Sequence, residues 1–223
     1  MVLLSVLIPA YNEEETVART VEAVRKVKGV AQILVVDDGS TDETEKQARL
    51  AGAEVLRLER NLGKGEALNR GVPLLTQPLI AFLDADLGES AGELEKLAAP
   101  VVANQADLAI AAFPPVKKGG GFGLVKKLAR TGVYLLSGLC LDSSLSGQRV
   151  MTREVLNAVL PFAPGYGVEV AMTVRAARKG FRIVEVPTSM RHRVTGRDLA
   201  GFCHRGKQFR DVLLALLKEL WLR

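Results

Sequence analysis

The chain has 223 residues, 48% of them hydrophobic and 25% charged, which is enough for one sizeable core and points to one domain. Its formal charge of +5 is modest, and without interleaved aromatics or a helix-turn-helix pattern it gives no reason to expect nucleic acid as a partner. Two cysteines, Cys140 and Cys203, lie too far apart in sequence to suggest a disulfide framework or a thiolate metal site, and they fit a reducing cytoplasm.

The first residues, Met1 to Pro9, are apolar but lack a basic leader and a cleavage site, so they read as a buried strand over Leu3–Ile8. A helix with Val17, Val21, Val24 and Val27 on one face follows, then strands at Ile33–Val36 and Val55–Leu58. Gly39 makes the turn after the second strand, and Ser40 or Thr41 is the expected cap of the next helix. Lys64–Leu75 reads as a helix burying Leu68, Val72 and Leu75, followed by a strand at Leu79–Leu83. A further helix shows Leu94, Leu97, Val101 and Val102, and another strand is expected at Asp107–Ala111. Pro114, Pro115 and the glycines at 119, 120, 121 and 123 read as a mobile loop. Helices are then expected near Leu124–Leu139, Thr152–Val159 and Glu169–Lys179, with a short strand Arg182–Val186 and an amphipathic helix from about Asp198. No stretch reaches the roughly 20 apolar residues needed to cross a bilayer, so a soluble protein, at most attached peripherally, is expected.

Strands that are apolar almost throughout, alternating with helical segments, predict a mainly parallel α/β sheet covered on both faces. Such sheets bind ligands beyond the carboxyl ends of their strands. Those ends read Pro9-Ala10-Tyr11-Asn12-Glu13, Asp37-Asp38-Gly39-Ser40-Thr41-Asp42 and Asp84-Ala85-Asp86. Two carboxylates as close as Asp84 and Asp86 repel unless a cation sits between them, and Mg2+ or Mn2+ would suit their oxygens; helix-capping surface aspartates are the bland alternative. Asp37 and Asp38 offer acceptors for a nucleobase or ribose, with Tyr11 and Glu13 as a neighbouring wall. Lys64, between Gly63 and Gly65 at a helix start, favours an anion. The spacing is wrong for a nucleoside-triphosphatase loop, and the dinucleotide glycine fingerprint is missing.

Pro9-Ala10-Tyr11-Asn12-Glu13-Glu14, Val36-Asp37-Asp38-Gly39-Ser40-Thr41-Asp42, Asn61-Leu62-Gly63-Lys64-Gly65 and Asp84-Ala85-Asp86 occur in this order over about the first ninety residues. Together they resemble glycosyltransferase family 2, of the GT-A fold. The resemblance implies that Ala10, Glu13 and Asp38 line a nucleoside pocket and that Lys64 lies near base and phosphates. It also implies that Asp84-Ala85-Asp86 hold ribose and metal, with Asp86 the direct ligand. Pro9, Tyr11 and Ala85 complete the candidate donor site.

The second half resembles two branches of that family. Leu145-Ser146-Gly147-Gln148-Arg149 is similar to the acceptor region of dolichyl- and polyprenyl-phosphate sugar transferases, and Pro161 to Glu169 to glucosyl-3-phosphoglycerate synthases. The latter branch implies an active-site Glu169 and a metal shell completed by His192. It carries arginine and threonine where this chain has Gly121-Phe122-Gly123, and the former often has a metal ligand at the position of Gly88, so the acceptor and the anomeric outcome stay open. By residue type alone, Glu169 also suits a helix dipole and His192 a solvated surface. Arg149, Arg191, Arg193 and Arg197 would clamp an anion or form a solvated basic face.

The expectation is a single GT-A domain over 1–223, with a nucleotide-sugar half at 1–112 and an acceptor half at 113–223. It would move a hexose from a nucleoside-diphosphate sugar to an anionic acceptor, a phosphorylated metabolite or a lipid phosphate. Asp86 and Glu169 are the catalytic candidates, Asp86 and His192 the metal ligands, and Gly147, Gln148, Arg149 and Arg191 the acceptor contacts. Peripheral membrane contact and a homodimer are left open. The rival readings are a nucleotidyltransferase and a non-catalytic nucleotide-sugar or anionic-lipid binding module.

Overall fold

The computed structural model describes residues 2–113, 123–192 and 199–221, with side chains of 199–205 left out. The element order is β1 (Leu4–Ala10), α1 (Val17–Arg25), β2 (Val30–Asp37), α2 (Thr44–Leu50), β3 (Glu54–Arg57), α3 (Lys64–Gly71), β4 (Leu79–Phe82) and α4 (Leu94–Val102). It continues with β5 (Leu108–Ala112), α5 (Gly123–Ser137), β6 (Arg149–Thr152), α6 (Arg153–Val159), α7 (Val168–Arg178), β7 (Ile183–Pro187) and α8 (Leu199–Trp221). The expected glycine loop falls at 114–122, outside the described residues apart from Gly123, which opens α5.

The strands form one sheet in the order β3-β2-β1-β4-β6-β5-β7. Neighbours are parallel except β6, which runs antiparallel to both β4 and β5. The alternation of side chains along a strand separates two cores. From β1, Val6 and Ile8 join Val17, Val21 and Val24 of α1 and Leu94 and Leu97 of α4, while Leu7 joins Leu68, Ile80, Phe82, Val133 and Val212 on the other face. Each such fully buried aliphatic side chain contributes roughly 1.5–3 kcal/mol of burial. The fold is therefore the single α/β domain expected, with helices over a mostly parallel sheet.

Four local readings need correction. The run Lys64–Leu75 is not one helix: α3 ends at Gly71 and Val72–Leu74 forms a 3-10 turn, because Pro73 lacks the N–H that continuation requires. α2 starts at Thr44 and is not capped by Ser40 or Thr41; Asp42 accepts from the Thr44 amide at 3.0 Å instead. Val102 was read as part of the buried face of α4 and is half exposed. Strand β6 went unread because its four residues run straight into α6, whose first turn is capped by the Thr152 hydroxyl accepting from Val155 N.

Candidate active site at the strand ends

Because β1, β2, β4, β5 and β7 run the same way, their carboxyl ends share one edge, and the antiparallel β6 brings its beginning to that same edge. Arg149 pairs with Phe82 in the ladder, so Gly147 and Gln148 lie beside the Asp84 loop that follows β4. The chain leaving β7 reaches His192 on the same edge, next to Phe113 at the end of β5, with ring centroids 5.2 Å apart. Topology thus gathers residues from positions 64 to 192 into one cluster.

Asp84 and Asp86 do not cap the following turn, which starts from Leu87. They converge with His192: each residue offers one ligand atom, and these atoms lie within 4.8 Å of one another. His192 Nδ1 is 2.9 Å from Asp86 Oδ1 and 3.9 Å from Asp84 Oδ2. Two carboxylates and one imidazole are a donor set suited to a divalent cation. Burial pushes the His192 imidazole down, but the Asp86 hydrogen bond and the charges of Asp84 and Asp86 outweigh it and hold the pKa above its ordinary value.

Asp84 is held from two further sides. Lys64 Nζ donates to Oδ1 at 2.7 Å and Gln148 Nε2 to Oδ2 at 2.6 Å. Burial would raise its pKa, but the Lys64 charge, then His192 and these hydrogen bonds, hold it below the usual carboxylate range. Lys64 Nζ also lies 2.9 Å from Glu169 Oε1, so one ammonium links the donor-side aspartate to the acceptor-side glutamate. Burial works against that ammonium, yet the two carboxylates raise its pKa well above the ordinary lysine range. Glu169 is the second residue of α7 and nearly buried, so it is neither solvated nor confined to balancing the helix dipole. A Cβ on Gly147 would press on Lys64 Nζ and crowd the Asp84 carboxylate, so a larger residue there would have to displace the lysine from its aspartate.

The other sequence candidates fall in two groups. Tyr11 is exposed at 45%, Ala10 and Ala85 are buried, and Pro9 is half-buried. Glu13 donates its amide to Thr44 Oγ1 and accepts from the Thr16 hydroxyl. Asp38 is buried and accepts from the amides of Leu62 and Gly63 at 2.8 and 2.7 Å, so its carboxylate builds the turn that leads into Lys64. Asp37 accepts from Ser40 N and pairs with Arg57, which gives it a structural role of its own. Arg149 departs furthest from expectation. Its side chain is fully buried and donates to Ser146 O, Ser144 O and Thr173 Oγ1, so it supports the 144–146 loop and does not face an acceptor. Burial pushes that guanidinium down to about 10. Arg191 is exposed beside His192, and Arg193 and Arg197 lie outside the described residues.

Several residues that hold the site were not read from sequence. Thr20 of α1, fully buried, donates to Ala85 O and accepts from Gly88 N, both at 2.8 Å, and so fixes the loop carrying Asp84 and Asp86. Gly88 sits at φ +53°, a conformation that favours glycine. Ser90 accepts from Arg191 N and Glu93 from Ser189 N, both at 3.0 Å, which ties the His192 segment to the turn after Asp86. These contacts join segments 65 to 101 residues apart, and no local pattern announces them.

Comparison with known proteins places this geometry. The profile described as Glycosyl transferase family 2 matches residues 5–163. A glucosyl-3-phosphoglycerate synthase of Mycolicibacterium smegmatis is 39% identical over 193 residues, covering 77% of this chain and 63% of that protein. The chain therefore spans under two thirds of that relative's length. An uncharacterised glycosyltransferase of Mycobacterium bovis is 33% identical over 212 residues, covering 91% of this chain and 92% of that protein. The crystal structure of glucosyl-3-phosphoglycerate synthase from Mycobacterium tuberculosis in complex with Mn2+, uridine-diphosphate-glucose and phosphoglyceric acid superposes with a TM-score of 0.81 at 31% identity, covering 98% of this chain and 79% of that one. The sheet and its helices are those of the GT-A fold. The chain belongs to glycosyl transferase family 2.

Proposed function

We propose that the protein is a metal-dependent hexosyltransferase that takes its sugar from a nucleoside diphosphate and delivers it to a phosphorylated small molecule. The observation that carries this reading is the convergence of Asp84, Asp86 and His192 beside the Lys64–Glu169 pair. The Mn2+, uridine-diphosphate-glucose and phosphoglyceric acid bound by the mycobacterial neighbour support the choice of Mn2+ or Mg2+ as metal, a uridine donor and an anionic acceptor.

In this reading Asp86 and His192 hold the cation and Asp84 adds a carboxylate. A bound divalent cation offsets the negative charge that grows on a departing diphosphate. Pro9, Ala10, Tyr11 and Glu13 edge the nucleoside, and Asp38 shapes the Leu62–Gly63 turn at its margin. Lys64 offsets the charges of Asp84 and Glu169 so that three carboxylates can share one site with phosphate. Glu169, fixed by Lys64, orients the acceptor hydroxyl. Gly147 and Gln148 form the wall next to Asp84, and Arg191 supplies exposed positive charge for the acceptor. Residues 1–112 would thus serve mainly the donor and 113–223 mainly the acceptor, with His192 crossing to the metal. A cytoplasmic setting belongs to the same reading.

Incubation with uridine-diphosphate-glucose, Mn2+ and 3-phosphoglycerate tests it. Release of uridine diphosphate that needs the acceptor and stops on chelation is expected. Absence of turnover with this and with guanosine-diphosphate-mannose, in folded protein, contradicts the reading.

A further inference from the structure

The C-terminal helix α8 has two apolar faces, and the fold uses one. Val212, Ala215 and Leu216 are buried against the domain, and a Cβ on Gly132 of α5 would run into Leu216. Phe209, Leu213, Leu214, Leu217, Leu220 and Trp221 are exposed, Leu214 at 56% and Trp221 at 86%. At 3.6 residues per turn these six side chains fall within an arc of about 140°. Leu135 of α5 is another exposed leucine. A face of this size left to water is uncommon on a monomeric protein.

The charges say what suits it. Between Gly206 and Trp221 the only acids are Asp211 and Glu219. Both turn inward: Asp211 accepts from Tyr166 N, and Glu219 is buried against Arg175, whose Nε lies 2.7 Å from its carboxylate. The bases Lys207, Arg210 and Lys218 stay outside. Arg210 reaches Asp211 at 3.3 Å yet keeps 68% of its side chain exposed. The outward surface of this stretch is therefore apolar and cationic, with its single indole at the end of the arc.

We propose that this arc of α8 docks on an anionic lipid bilayer, lying in the headgroup region with the leucines and Trp221 inserted and the lysines facing lipid phosphates. On the same projection Lys207 and Lys218 lie along one edge of the arc and Arg210 within it, beside Trp221; an apolar stripe edged by lysine, with an arginine and a tryptophan whose polar ends can reach the headgroups, is the chemistry of helices that lie on membranes. No helix among the described residues is long and apolar enough to cross one, so the contact is with the surface. A second copy of the chain suits the arc less well, because a two-fold contact through it brings the same three bases together from both sides.

The docked arc also sits one layer from the site. Asp211 of α8 holds the Gly165–Gly167 turn that precedes α7 and Glu169, and Cβ atoms on Gly165 or Gly167 would collide with Asp211.

Trp221 is the only tryptophan, so its fluorescence reports the contact directly. With vesicles of mixed phosphatidylglycerol and phosphatidylcholine, its emission should shift to the blue and the protein should float with the lipid; with phosphatidylcholine alone both effects should be much weaker. Changing Lys207→Glu and Lys218→Glu together should lower partitioning about tenfold or more, and Leu214→Glu with Leu217→Glu should abolish it. Circular dichroism checks that helix content is kept; should the leucine pair unfold, the lysine pair, which alters exposed charges alone, decides. Equal binding to both lipids, or no blue shift and no flotation with the anionic vesicles, overturns the proposal. So does a lipid-free dimer that shields Trp221 and is broken by the leucine changes.

Discussion

Two aspartate pairs stand at the carboxyl ends of β2 and β4, the parallel strands on either side of β1, and meet different fates. Asp37 and Asp38 after β2 are buried, and their oxygens are taken by Ser40 N, Arg57, Leu62 N and Gly63 N. Asp84 and Asp86 after β4 remain about one quarter and one fifth exposed and face each other, a lysine and a histidine. The same sequence signal, acids at a strand end, thus yields turn-building carboxylates in one place and a candidate metal site in the other. The difference lies in partners: backbone amides and Arg57 hold the first pair within its turns, whereas Asp84 and Asp86 are held by the side chains of Lys64, Gln148 and His192.

Substitution separates the two pairs most sharply. Asp86→Ala should lower turnover by about two to three decades, the loss of one charge-stabilising group in the transition state, while the stability read by urea changes by no more than about 1 kcal/mol, the contribution of its partly exposed pair with His192. Asp38→Ala should do the reverse in kind. It leaves two amides without their acceptor and should cost about 2–4 kcal/mol of stability, read as a lower urea midpoint. A stable Asp38→Ala protein with a normal turn at Leu62–Gly63 would remove the contrast.

A subtler change leaves both pairs in place and loosens one. Thr20→Val keeps the shape of the side chain but drops both hydrogen bonds to the Ala85–Gly88 loop, and should raise the Mn2+ concentration for half-maximal activity about tenfold while Thr20→Ser restores it. A similar drop in kcat with no change in metal requirement would mean that the hydroxyl serves packing and not the loop.

The smallest effect expected is on pH. His192 has its folded pKa raised above the ordinary 6.5, so the stability it draws from Asp86 is fully present below the unfolded pKa and is lost as pH rises through the folded value. The pair is partly exposed, so this should amount to under about 1 kcal/mol in metal-free protein. Metal affinity should move the opposite way, because only the neutral imidazole ligates: it should rise with pH through that same region and go flat in His192→Asn. Titrations showing no pH dependence in the parent protein would take His192 out of the metal shell.

The convergence at Asp84 and Asp86 is more legible in the sequence than the turn-building contacts of Asp37 and Asp38, for a physical reason. Strand ends in a parallel sheet can be located from apolar runs, which puts Asp84 and Asp86 at the binding edge, and the flanking glycines put Lys64 at a helix start. What a carboxylate does next depends on which remote amides or side chains reach it. Asp38 meets residues 62 and 63, Asp84 meets Gln148, and the loop between Asp84 and Gly88 rests on Thr20. Arg149 reads as an acceptor contact because the segment 145–149 resembles an acceptor region; its burial follows from β6, four residues inserted antiparallel between β4 and β5. Nothing local in Arg149-Val150-Met151-Thr152 marks it as a central strand.

Direct binding of Mn2+ in the presence of uridine diphosphate, followed by calorimetry on the parent protein, Asp86→Ala and Asp38→Asn, tests the central claim. One ion per folded chain is expected in the parent and in Asp38→Asn, and none in Asp86→Ala. Retained binding in Asp86→Ala, or its loss in a folded Asp38→Asn alone, would place the metal at the other aspartate pair.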